Sequence, residues 1–278
     1  MPADLAIPAI PATPADLAVP ADLAASGGQL LPVTPVLGVV TAVLLLAAVA
    51  VAGRGLLGHG HAVLRAGLRA VVQLAAVAAV ITWVVGSLWW SALFVLLMFS
   101  VAVRTAGRRM TPGPGWVWAA APIGAGVLPM LALLLGVGLL PAEGLSVIPV
   151  AGILIGGALS ATSLAGRRAL DELRLRRGEV EAALALGFEE REARLEICRT
   201  AAATSLVPAL DQTRTVGLVT LPGAFVGMLL GGASPVQAGA VQLFVLIALL
   251  AVESVAIVVV LELVGRGLVA AEPAGGAR

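Results

Sequence analysis

Apolar residues in this chain come in runs long enough to cross a bilayer, separated by short connections and by one long charged stretch. A transmembrane helix needs ~20 mainly apolar residues. By that measure about seven spans are predicted, near residues 31–52, 70–86, 88–103, 116–140, 145–165, 206–232 and 236–262. The connections alternate in character. "SLWW", "PAEG" and "GASP" contain no basic residue, whereas the others carry Arg54, Arg65 and Arg69, then Arg104, Arg108 and Arg109, then the segment from Arg167 to Arg199, then Arg266. Basic residues near span ends resist translocation. The pattern therefore predicts an N-terminus outside, a C-terminus inside, and the charged segment in the cytoplasm. Trp89 and Trp90 at an outer turn and Trp116 and Trp118 at an inner span start suit the headgroup region.

The charged stretch breaks the pattern. Residues 166–205 hold eight Arg and eight acids, so their charges cancel. That balance opposes a nucleic-acid surface, which needs net positive charge. Val180, Ala183, Leu184 and Phe188 recur at helical spacing, and Leu195, Cys198, Ala202 and Leu206 continue a second face. Gly187 interrupts the two where a helix can end in a left-handed cap. Two short amphipathic helices joined by a turn are predicted.

Composition fixes the class. The chain has 60% hydrophobic and 12% charged residues and a mean hydropathy of +1.05, against ~45–50% and ~25% for a soluble domain. The predicted fold is an all-α polytopic membrane protein. Residues 1–30, with "PADLA" starting at residues 2, 14 and 20, are expected to form a disordered extracytoplasmic tail. Residues 31–265 form the membrane domain, including the 166–205 loop, and residues 266–278 form a cytoplasmic tail. Cys198 is the single cysteine, which excludes an internal disulfide, and reads as a small apolar residue on a helix.

Within "EAALALGFEEREARLEI" the residues Glu181, Ala182, Ala183, Gly187 and Ile197 stand in the register of the EAA loop of ATP-binding-cassette (ABC) permeases, with Phe188 following the glycine. The family's closing Leu-Pro is replaced by Arg199 and Thr200. Together with "RAVVQL" (69–74), "IPVAGILIGG" (148–157) and above all "TVGLVTLPGAFVGMLLGGASPVQA" (215–238), this resembles the FetB-type family of ABC permeases, associated with bacterial iron export and similar to plant aluminium-tolerance membrane proteins. The resemblance covers residues 65–262. It implies a homodimeric permease in the cell membrane, exporting iron or another metal ion and coupled through this loop to a cytoplasmic ABC ATPase. Two departures remove polar groups: Gly157 stands where the family commonly has Asn, and Ser234 where it commonly has Asp.

No lysine is present, since all 17 basic residues are Arg. A Walker A loop needs its Lys at the nucleotide phosphates, so no standard ATP site is expected in this chain. The resemblance implies that ATP and Mg are held by a partner ATPase subunit and that this chain is a transport subunit without cofactor or enzymatic activity of its own. H-E-x-x-H and G-x-S-x-G are absent from the sequence.

Inside the spans the candidates for a pathway or a helix break are few. Gly152 and Gly156, and Gly223, Gly227 and Gly231, recur every fourth residue and can form close helix contacts. Pro149 and Pro222, the latter followed by Gly223, can break their helices. Gln73 is a polar residue within a span, suited to joining helices. Glu253 lies near the middle of the last span, where an acid costs ~2.5–3.5 kcal/mol on insertion scales; it is read either as functional, meeting a cation or a proton, or as a neutral, hydrogen-bonded acid at a helix contact. Asp211 and Arg214 can pair on one helix face. His59 and His61 are the only histidines and make a poor metal site by themselves; metal ligands are not identified. An ion-gradient-driven carrier using Glu253 is the alternative reading.

Overall fold

The computed structural model describes residues 33–55, 58–111 and 113–269, so the "PADLA" tail and residues 270–278 lie outside the described residues. Every named element is helical. The elements are α1 (Pro35–Arg54), α2 (Gly60–Val85), α3 (Leu88–Met110), a 3₁₀ turn (Pro114–Ala119), α4 (Ala120–Gly136), α5 (Gly144–Leu175), α6 (Arg177–Ala185), α7 (Glu190–Ala203), a second 3₁₀ turn (Thr204–Leu206), α8 (Val207–Thr215), α9 (Gly223–Leu230) and α10 (Pro235–Gly265). Among the described residues six helices are long and apolar enough to cross a membrane: α1, α2, α3, α4 with the turn before it, α5 and α10. The chain is a multi-pass membrane protein.

The expected span over 206–232 is not one continuous helix. It divides into α8 and α9, with a tight turn between them in which Gly217 takes φ +81° and its N–H donates to the Thr220 carbonyl at 2.9 Å. Pro222, extended at φ −63° and ψ 150°, then starts α9. A proline has no N–H to offer a preceding turn and disfavours helix in the residue before it. Pro149, by contrast, does not break α5, which runs unbroken from Gly144.

Two compact units divide the chain. In the unit formed by residues 33–82 and 222–242, α1 and α2 are apolar and almost wholly exposed, with Leu44 at 63% and Val72 at 68%. Apolar side chains pointing outward are what lipid tails solvate as readily as a protein core does. Ser234 and Gln237 cap the start of α10 reciprocally: the Ser234 N–H donates to Gln237 Oε1 at 3.1 Å and the Gln237 N–H to Ser234 Oγ at 3.3 Å.

The other unit, residues 83–221 and 243–269, holds the buried core. One cluster joins α3, α4, α5 and α10 through small and branched side chains, including Ala106, Ile123, Leu154, Ala158 and Val252. A second joins α5, α7 and α10 through Ala161, Ala165, Cys198, Ala202, Ile257 and Val260. Alanine dominates because close helix approach in lipid is gained by packing of small residues. In the 3₁₀ turn before α4, Trp116 lies under the guanidinium groups of Arg104 and Arg108, at 6.0 and 5.8 Å from the ring centre.

Candidate functional site

At 1.5 Å per residue the 32 residues of α5 extend about 48 Å, well beyond a hydrocarbon core of ~30 Å. The predicted boundary at residue 166 is therefore not a break: the helix continues to Leu175, because Ala165, Ala169 and Leu170 keep one face buried. The projecting end leads into α6 and α7, the two helices predicted from the charged pattern.

The turn between them is a full Schellman motif. Gly187 takes φ +93°, its N–H donates to the Leu184 carbonyl at 3.0 Å, and the Phe188 N–H donates to the Ala183 carbonyl at 3.1 Å. A residue with a Cβ would be strained at that φ. The motif leaves Leu184, Leu186 and Phe188 exposed, Leu186 at 80%. Glu181 pairs with Arg177 at 2.9 Å along α6, Ala182 is exposed, Ala183 is half-buried, and α6 as a whole has no buried residue. Glu179 bonds Arg176, which holds its carboxyl below the usual range.

α7 is the opposite case. Ala193, Ile197, Cys198 and Ala202 are buried, so Ile197, grouped by sequence with the exposed residues, anchors the helix within its own chain. Burial pushes the Cys198 thiol up to about 11, which favours the protonated form. On the outer side of α7, Arg191 donates to both carboxylate oxygens of Glu262 on α10, at 3.0 and 2.6 Å. Arg266 also donates to Glu262 Oε1. This forked pair fixes α7 to the helix that carries Glu253.

Glu253 lines a cavity of about 320 Å³ between α5, the Thr204–Leu206 turn, α8 and α10. Gly156, Gly157 and Ser160 come from α5, Ser205 from the turn, and Gln212 from α8. Gly157 is what admits the acid: a Cβ there would lie 2.9 Å from Glu253 Oε1 and 2.6 Å from Leu249 Cδ2. Gly156 faces open space, whereas a Cβ on Gly152 would stand 3.0 Å from Met98 Cε of α3. The two glycines thus serve different ends, a cavity wall and a helix contact. The remaining candidates lie elsewhere. Gly223 and Gly227 are exposed on α9, where a Cβ would meet nothing within 4 Å, and Gln73 is exposed on α2. Asp211 and Arg214 form an exposed pair at 3.7 Å. Among the described residues no group of three or more His, Cys, Asp or Glu could hold a metal ion. Sequence reasoning reached Glu253 through its charge but missed Ser160, Ser205 and Gln212, single polar residues on three elements with no common spacing.

The model of an uncharacterised protein family, UPF0014, matches residues 36–269. The UPF0014 membrane protein STAR2 of Oryza sativa subsp. japonica is 37% identical over 193 residues, 68% of each chain. The protein ALUMINUM SENSITIVE 3 of Arabidopsis thaliana is 40% identical over 158 residues, 56% of this chain and 58% of that one. The probable iron export permease protein FetB of Escherichia coli (strain K12) is 30% identical over 207 residues, 71% of this chain and 78% of that one. No solved structure matches.

Proposed function

The chain belongs to the UPF0014 family of membrane proteins, and from that premise we propose that it is the membrane-spanning permease subunit of an ABC transporter, exporting iron or another metal ion and driven by a separate ATPase subunit. The observation that carries this reading is the hook formed by α6 and the Gly187 turn: it offers Leu184, Leu186 and Phe188 on an otherwise charged element and buries none of α6 in its own chain. Exposed apolar side chains rimmed by charges are the usual form of a protein-docking surface. Nucleotide and Mg are held by the partner; this chain receives motion.

The path for that motion follows from the contacts. An ATPase that closes on binding nucleotide moves the hook, and the docked α7 passes the displacement to α10 through the Arg191–Glu262 pair. Glu253 lies nine residues before Glu262 on the same helix, so a shift of α10 moves the wall of the cavity. Rigid elements with two arrangements are what such coupling requires. In this reading the N-terminus is outside, the C-terminus and hook are cytoplasmic, and two permease copies assemble in the cell (inner or plasma) membrane.

The test is a mild-detergent pull-down of the tagged chain from its native cell. Co-purification of an ATP-hydrolysing subunit, with hydrolysis stimulated by metal, is the expected result. Transport that persists without any bound ATPase would instead favour a gradient-driven carrier, for which the Glu253 cavity is the supporting feature.

A further inference from the structure

The cavity around Glu253 has a one-sided chemistry. Its polar lining is Glu253, Ser160, Ser205 and Gln212, and it contains no Arg, His or Cys. All four present oxygen, which suits hard cations, and the soft and borderline metals that select thiolate or imidazole find no such ligand. Ser205 adds an independent observation. It is 3% exposed, and its Oγ has no hydrogen-bond partner among the described residues. A buried hydroxyl left unpaired costs free energy, and a ligand or its water in the cavity removes that cost.

Size decides how the ion would sit. A cavity of about 320 Å³ is far larger than a bare ion; at ~30 Å³ per water it accommodates on the order of ten water-sized volumes. One carboxylate among neutral oxygens is also too little charge for a dehydrated divalent ion, whereas cations of the Mg²⁺ kind commonly keep several waters and use one or two carboxylates. Acids within the membrane commonly face water-filled cavities on ion pathways.

We propose that this cavity is a binding station for a hard divalent cation that retains part of its water shell, held by the Glu253 carboxylate with Ser205, Ser160 and Gln212 as supporting oxygen ligands. This deepens the transport reading above and rests on it. Gly157 leaves the carboxylate room against α5, and Gly156 keeps the cavity open.

The experiment titrates Mn²⁺, read by electron paramagnetic resonance, into the purified full-length chain in lipid nanodiscs without ATPase. One site competed by Mg²⁺ is expected. Glu253→Gln should weaken it about tenfold or more, as loss of a metal-supporting group does, and Ser205→Ala should weaken it by a smaller factor. Gly156→Leu changes none of the four ligands and puts a bulky apolar side chain on the cavity wall, where its Cβ meets nothing within 4 Å, and should also weaken binding about tenfold or more. Glu143→Gln, an exposed acid outside the cavity, should change nothing. Mn²⁺ binding that is absent from the native chain, or unchanged in both Glu253→Gln and Gly156→Leu, overturns the proposal. Because ATPase co-purification is measured separately, loss of the cation site with the ATPase still bound overturns this inference alone.

Discussion

α6 and α7 are consecutive, both amphipathic and both carrying arginine and acid, yet they end in opposite environments. α7 buries Ala193, Ile197, Cys198 and Ala202 and is tied to α10 by Arg191; α6 buries nothing. The difference is not one of composition, since both helices contain alanines and ion pairs. It comes from the partners that the rest of the chain supplies. The ends of α5 and α10 give α7 a surface of small residues to pack on, whereas no residue of α6 is buried. A helix with apolar side chains exposed and, among the described residues, none buried is what the proposed docking of an ATPase requires.

The largest effect that would break this contrast is expected at the turn. Gly187→Pro should leave membrane insertion intact and abolish ATP-driven transport, measured as flux in proteoliposomes with the ATPase present; normal flux would remove the turn from the mechanism. Next comes packing. Ala202→Leu overfills the buried face and should cost about 1–3 kcal/mol, seen as a lower midpoint in thermal unfolding, whereas Ala182→Leu on exposed α6 should leave that midpoint unchanged and weaken ATPase capture. Equal destabilisation by the two would abolish the distinction between docked and undocked helices.

Arg191→Glu probes the link itself. An exposed pair contributes only ~0–1 kcal/mol, so stability should barely move, but flux per ATP hydrolysed should fall. Pairing it with Glu262→Arg should restore part of the loss, a rescue that a purely structural role does not predict. The smallest effect is chemical: Cys198, with its thiol pushed up to about 11 and fully buried, should react slowly with maleimide at pH 8 in the native chain and faster in Ala202→Leu. Fast native labelling would mean that α7 is not docked.

Much of the fold could be read from the chain because crossing a bilayer imposes a length and an apolar composition that few other structures share. The Gly187 turn could be read as well, since an interrupted helical pattern and a glycine have one economical solution. Pro149 and Pro222 mark the limit. Each is a proline in an apolar run, yet α5 absorbs Pro149 because α3 and α4 pack along it, while Pro222 adjoins a turn already formed by Gly217. An average over an apolar window does not distinguish a continuous span over 206–232 from two short helices.

By itself, then, the sequence determined that this is a helical membrane protein, where most of its spans run, and that a charged two-helix element interrupts them, since each of these follows from composition and spacing along one line. Only the tertiary structure decided which of the two helices is docked, that Ile197 faces inward, and that Glu253 shares a cavity with Ser160, Ser205 and Gln212. Those outcomes depend on which surfaces meet, and residues on four separate elements carry no mark of their future neighbours in their order along the chain.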